Sequence, residues 1–101
     1  MAEWKKVAET SDLTSDQGRV VEVDGKAVAL FNAGGTFYAI DNTCLHRGGP
    51  LGEGELNGTI VTCPWHGWRY DVSTGENAMN AAIKVSCYPV KVEGTSIFVE
   101  V

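Results

Sequence analysis

Two short stretches each place a histidine just behind a cysteine: Cys44-Leu45-His46, and then, sixteen residues later, Cys63-Pro64-Trp65-His66. His46 and His66 are the only histidines in the chain. Any fold this sequence adopts must accommodate both stretches, and both lie in loops rich in glycine and proline. Thiolate and imidazole are the donors that hold zinc, copper and iron, so four of them in two short loops form a metal-binding pattern. The alternative is that the four residues merely fill a core. That requires two cysteine–histidine proximities to coincide in a chain with very few of either.

The remainder reads as β-structure. Arg19–Val23 alternates and runs into Asp24-Gly25, a strong type I′ hairpin signal. Lys26–Ala33 follows, Gly34-Gly35 makes the next turn, and Thr36–Ile40 completes a meander. Thr59–Thr62 is a short β-branched strand leading into the second Cys-His stretch, and Trp68–Val72 leaves it. Ser86–Val101 is expected to form a hairpin through Glu93-Gly94, and Trp4–Glu9 an edge strand. Only Ser11–Arg19 offers room for a short helical turn. Seven to nine short strands with glycine-rich turns predict an all-β barrel or sandwich. The whole chain, 1–101, is expected to form a single domain, and a bound metal would add folding energy to a domain this small.

Charge excludes some partners. Thirteen acidic residues against eight basic ones give a formal charge of −5, and the only adjacent basic pair is Lys5-Lys6. Nucleic acid and anionic membrane surfaces both need clustered lysine and arginine. A protein partner with a basic face fits better, with plain solubility as the equal alternative. No apolar run reaches the length of a membrane span, and the N-terminus lacks a signal-peptide core. The expectation is a soluble, cytoplasmic monomer. Three cysteines in a reducing compartment point to metal or redox chemistry rather than a disulfide framework.

The spacing narrows the metal. Structural zinc sites usually use chelating pairs with two to four residues between the ligands, and Cys44-x-His46 is tighter. Two ligands one residue apart can address two neighbouring irons. If each loop gives its cysteine to one iron and its histidine to the other, the two loops clasp a [2Fe–2S] cluster in which a pair of histidines replaces a pair of cysteines on one iron.

Thr43–Leu51 (TCLHRGGPL) and Cys63–Asp71 (CPWHGWRYD) resemble the two ligand loops of Rieske proteins, and the likeness extends over nearly the whole chain to YPVKVEG and IFVEV near its end. The resemblance implies a Rieske domain of stacked antiparallel sheets with two cluster-binding loops at one tip. It implies Cys44 and Cys63 as ligands of the inner iron, and His46 and His66 as ligands of the outer one. Gly49 and Trp65 stand where Rieske proteins of cytochrome bc complexes carry a disulfide, so that bond cannot form here. Trp68 stands where those proteins have a serine bonded to a cluster sulfide, while Tyr70 matches the tyrosine that donates to a cysteine sulfur. Hydrogen bonds to sulfur raise the potential, so loss of one donor places this chain toward the low end of the Rieske range, on the order of −150 mV to near zero. The family's cluster-covering loop often holds a proline. Here Glu76–Lys84 has none, leaving its conformation open.

Around this constellation, Cys87 is expected to be a buried structural thiol. Trp65 and Trp68 are expected to pack over the cluster and shield its sulfurs, with partner docking as an alternative for Trp65. Arg47 lies on the docking rim or on plain solvated surface. No nucleophile or general base accompanies the ligands, so the expected product is an electron carrier rather than an enzyme. Each ligand histidine keeps a second ring nitrogen, so the potential should fall as pH rises through the oxidised-state titration. The resemblance implies a ferredoxin passing electrons from a flavoprotein NAD(P)H reductase to a terminal oxygenase of the aromatic-ring hydroxylating dioxygenase type. The small subunit of an NAD(P)H nitrite reductase and a zinc-bound interaction module are the competing readings.

Overall fold

The computed structural model describes residues 3–43, 49–65 and 67–100. Its described strands are β1 (Trp4–Glu9), β2 (Gln17–Val23), β3 (Lys26–Ala33), β4 (Thr36–Asp41), β5 (Glu55–Asn57), β6 (Ile60–Thr62), β7 (Arg69–Asp71), β8 (Cys87–Tyr88), β9 (Val90–Glu93) and β10 (Ser96–Glu100). They form antiparallel sheets in the orders β1-β10-β9, β2-β3-β4-β8 and β5-β6-β7.

Two local turns set the register of the central meander. Asp24 and Gly25 both take positive φ, 51° and 79°, as a type I′ turn requires, and Val23 faces Lys26 across it. Gly34 and Gly35, at 64° and 99°, do the same between Ala33 and Thr36. Asn32 reinforces the second turn: its Oδ1 accepts the Gly35 N–H at 2.7 Å, and its Nδ2 donates to the Leu13 carbonyl at 2.9 Å.

The four-stranded sheet is the middle layer, because its side chains alternate between two cores. Ala29, Phe31 and Ile40 face one core and pack with Leu51, Leu56, Val61, Tyr70 and Val72, joining β5-β6-β7. Val28, Leu30 and Ala39 face the other and pack with Ala8, Val21, Val23, Ile97 and Val99, joining β1-β10-β9. Phe31 and Tyr70 are both fully buried, and each such aromatic removes enough apolar surface from water to contribute about 1.5–3 kcal/mol.

The strand expectations hold for β1, β3, β4, β6 and β7, with ends shifted by a residue or two, and β2 begins two residues earlier, at Gln17. The expected short helical turn is a 3-10 turn at Thr10–Asp12. Ser86–Val101 is not one continuous hairpin. Pro89 divides it: Cys87–Tyr88 pairs with β4 in the middle sheet, and Val90–Glu93 pairs with β10. Proline brings no N–H to a ladder, so the chain changes sheets there. The hairpin turn itself lies at Gly94-Thr95, between Glu93 and Ser96.

Both Cys-His stretches lie in connections to the β5-β6-β7 sheet. The first leaves β4, returns through a 3-10 turn at Leu51–Glu53, and enters β5. The second joins β6 to β7. Gly54 passes so close to β6 that a Cβ there would lie 2.2 Å from the Thr62 carbonyl oxygen, so only glycine allows the crossing.

Candidate metal centre

Cys63 begins its loop at the end of β6. Its N–H donates to the Trp68 carbonyl at 2.7 Å, and its own carbonyl accepts the Gly67 N–H at 3.1 Å. Gly67 has φ 77°, a left-handed conformation that suits glycine and turns the chain back toward β7. The loop is thus closed on itself at both ends. Cys63 is buried in the same core as Tyr70, Phe31 and Leu51.

The first loop is closed at its neck. Thr43 and Pro50 form a β-bridge, and the Leu51 N–H donates to the Asn42 carbonyl at 2.7 Å. Leu51 is fully buried and plugs the base of the loop. Cys44, His46 and Arg47 lie outside the described residues, as does His66 of the second loop. Of the four expected ligands, Cys63 is the one the structure describes.

The two loops nevertheless meet. A Cβ on the buried Gly49 would lie 2.6 Å from the Cys63 Sγ and 3.1 Å from the Trp65 Cγ. The end of the first loop therefore abuts the sulfur of the second, with no room for a side chain between them. Gly49 and Trp65, the residues at the disulfide positions of the bc-type proteins, are neighbours in space. A buried thiol with a side-chain-free backbone pressed against its sulfur suits a thiolate ligand of a compact iron–sulfur group.

The tryptophans divide their duties. Trp68 is half-buried and packs on the core around Tyr70. Trp65 is 56% exposed, so the packing expected of it holds only for the edge that lies against Gly49. Its place in the loop lets the rest of the indole face solvent.

Glu76–Lys84, left open by the sequence, lies over Trp68. Glu76 and Lys84 bridge its ends, and Asn77 bridges to Tyr70. Buried Asn77 shapes the loop in place of a proline: its Oδ1 accepts the N–H groups of Met79 at 2.8 Å and Asn80 at 3.2 Å. Trp68, Asn77, Met79, Asn80 and Ile83 line a largely apolar cavity of about 190 Å³.

Cys87 is a correction. It is exposed rather than buried, because β8 is the edge of its sheet and covers the side chain on one side only. Its Sγ lies 3.7 Å from the Ser73 carbonyl, and partial burial there pushes its pKa up. Next to it, the Tyr88 hydroxyl donates to Asp41 Oδ1 at 2.5 Å. Burial first, and this bond second, push the Tyr88 pKa up to about 12.

The adjacent lysines make no anion-binding patch: Lys5 pairs with Glu3 at 2.8 Å and Lys6 with Glu9 at 2.6 Å. No described helix is long and apolar enough to cross a membrane. No sequence pattern singles out Asn42 or Asn77. The only signal for either is that asparagine bonds readily to nearby backbone in turns.

Residues 3–89 match the family model described as Rieske [2Fe-2S] domain. The chain is 34% identical over 99 residues to the ferredoxin component of the naphthalene 1,2-dioxygenase system of Pseudomonas putida, covering 96% of this chain and 94% of that protein. It superposes with a TM-score of 0.87 and 33% identity on a chain from a complex of reduced oxygenase and oxidised ferredoxin in carbazole 1,9a-dioxygenase, covering 95% of this chain and 91% of that one. A putative NADH-dependent nitrite reductase small subunit from Mycobacterium tuberculosis shares the fold, with a TM-score of 0.91, 23% identity, and coverage of 100% of this chain and 96% of that one.

Proposed function

We propose, since this chain belongs to the Rieske [2Fe–2S] domain family, that it is a one-electron carrier between a flavoprotein NAD(P)H reductase and a terminal oxygenase of the ring-hydroxylating type. Its cofactor is one Rieske [2Fe–2S] cluster, which when bound supplies a one-electron couple. Cys44 and Cys63 would hold the inner iron, and His46 and His66 the outer. The chain has three cysteines, so it cannot supply the four thiolates of an all-cysteine cluster by itself.

The observation that carries this reading is the approach of Gly49 to the Cys63 sulfur, which brings the two ligand loops together. The other described residues do supporting work. The turn through Gly67 directs the second loop back to β7, Tyr70 and Leu51 close the core beneath, and Trp68 with the Glu76–Lys84 loop restricts water on one flank. The protein is an electron carrier and not itself a catalyst.

The carrier reading draws on the likeness to a dioxygenase ferredoxin at 34% identity. The nitrite reductase likeness, at 23%, speaks for the fold alone. We infer a cytoplasmic monomer that meets its reductase and oxygenase transiently. The test is anaerobic mixing of the purified protein with NADH and a catalytic amount of a ring-hydroxylating dioxygenase reductase. Full reduction by one electron per chain, followed by reoxidation on adding the oxygenase, supports the carrier. A permanent stoichiometric complex with a single redox enzyme, surviving salt, would favour the subunit reading instead.

A further inference from the structure

We propose that Asn42 is the positioning residue of the first ligand loop, and that its side chain sets how firmly that loop holds its metal group. The inference rests on the reading that Cys44 and His46 are ligands.

Asn42 sits two residues before Cys44, between β4 and the loop. Three bonds fix it. Its N–H donates to the Ala27 carbonyl at 3.3 Å, tying it to the start of β3. Its carbonyl accepts the Leu51 N–H at 2.7 Å, and its Oδ1 accepts the Gly52 N–H at 2.8 Å. The last two bonds draw together the residues on either side of the Thr43–Pro50 bridge. Loop residues 43–50 are thus closed by one asparagine that reads two successive N–H groups on the far side.

The far side is itself closely packed. Gly52 is buried against β2, where a Cβ would lie 2.8 Å from Val20 Cγ2 and 3.0 Å from the Arg19 backbone. Gly52 therefore lies close against β2, with no space for a side chain between them. Asn42 Oδ1 therefore refers the loop neck to β2, while its N–H refers the neck to β3. The main-chain bonds survive any substitution except proline, but the Gly52 bond depends on the asparagine side chain alone. Its loss leaves a part-buried N–H without its acceptor, a cost that a shift of the neck would relieve. A shift at residue 42 is two residues from the sulfur of Cys44, and groups that orient metal ligands commonly alter metal retention when removed.

The measurement is the rate at which the cluster-loaded protein bleaches in bathophenanthroline disulfonate, followed by visible circular dichroism well below the melting temperature. Four proteins are compared: wild type, Asn42→Ala, Asn42→Asp and Ile97→Val. Ile97 is fully buried in the core on the opposite face of the middle sheet, so its truncation reports general loosening without touching the loop. Asn42→Ala should bleach about tenfold faster than wild type. Asn42→Asp, which keeps an acceptor for Gly52, should stay within about twofold of it, and Ile97→Val should do the same. If Asn42→Ala does not accumulate, Asn42→Ser, whose shorter side chain does not reach Gly52 in the same geometry, takes its place with the same expectation. A coloured wild type whose Ala or Ser variant bleaches no faster overturns the inference alone, and so does Ile97→Val bleaching equally fast. A colourless wild type overturns the ligand reading and this inference with it.

Discussion

Gly49 and Trp65 touch across the two Cys-His loops: a Cβ on Gly49 would lie 3.1 Å from the indole Cγ and 2.6 Å from the sulfur of Cys63. At the positions that match the disulfide of the cytochrome bc-type Rieske proteins, this chain has the fit of a bare backbone against an aromatic ring. Gly49→Ala forces a methyl group into the sulfur. The cost of overpacking is about 1–3 kcal/mol, and it falls on the Cys63 sulfur, the proposed thiolate ligand. Iron and labile sulfide per chain should drop severalfold. Gly58→Ala is the control. Gly58 has φ 65° and open space around it, so alanine there should cost about 1 kcal/mol of stability and leave the cluster content intact.

Trp68 is partly buried on the Tyr70 core and lines the cavity beside the Glu76–Lys84 loop. Trp68→Ser places a hydroxyl where the bc-type proteins have their sulfide donor. The midpoint potential of cluster-loaded protein should rise, on the order of tens of millivolts. Lost packing should also lower stability by about 2 kcal/mol. Protein-film voltammetry reads the first effect and thermal unfolding the second. An unchanged potential with an intact cluster would remove the argument that Trp68 keeps the potential low.

The parts of this fold that could be read from the sequence are those governed by neighbours in the chain. Asp24-Gly25 and Gly34-Gly35 need positive φ, and they specified the meander almost to the residue. The Cys-His spacings are likewise local, and they point to a cofactor class by themselves. What stayed hidden depends on distant partners. The three-residue β5 has too little alternation to stand out, and β8 is a strand only because β4 offers it an edge. The switch of sheets at Pro89, the exposure of Cys87 and the grip of Asn42 on Gly52 all follow from contacts that no local pattern encodes.

Tyr88 makes the alkaline limb of stability testable. Its folded pKa is pushed up to about 12 from an ordinary value of 10.0, by burial and then by the bond to Asp41. The folded state therefore holds the phenolic proton where the unfolded chain releases it. The contribution is fully present below about pH 10 and is lost as pH rises from about 10 to about 12. Urea unfolding should show stability falling across that window. Tyr88→Phe should be less stable at pH 7, having lost the Asp41 bond, and should fall less steeply between pH 10 and 12. Equal slopes would contradict the assignment.

Cys87 is exposed and Cys63 is buried. In the cluster-loaded protein, iodoacetamide should alkylate Cys87, slowly, because its raised pKa keeps it mostly as the unreactive thiol at pH 8. Mass spectrometry should locate one adduct, with the visible spectrum retained. Bleaching in step with alkylation would instead place Cys87 at the cluster.

The central claim is that one cysteine and one histidine from each loop hold a [2Fe–2S] cluster. Pulsed electron paramagnetic resonance of the dithionite-reduced protein tests it most directly, with iron and sulfide counted on the same sample. The account predicts two irons and two sulfides per chain and two directly coordinated nitrogens, one of them lost in each of His46→Cys and His66→Cys. A colourless protein carrying zinc, or a coloured one whose reduced spectrum shows no nitrogen coordination, would contradict it.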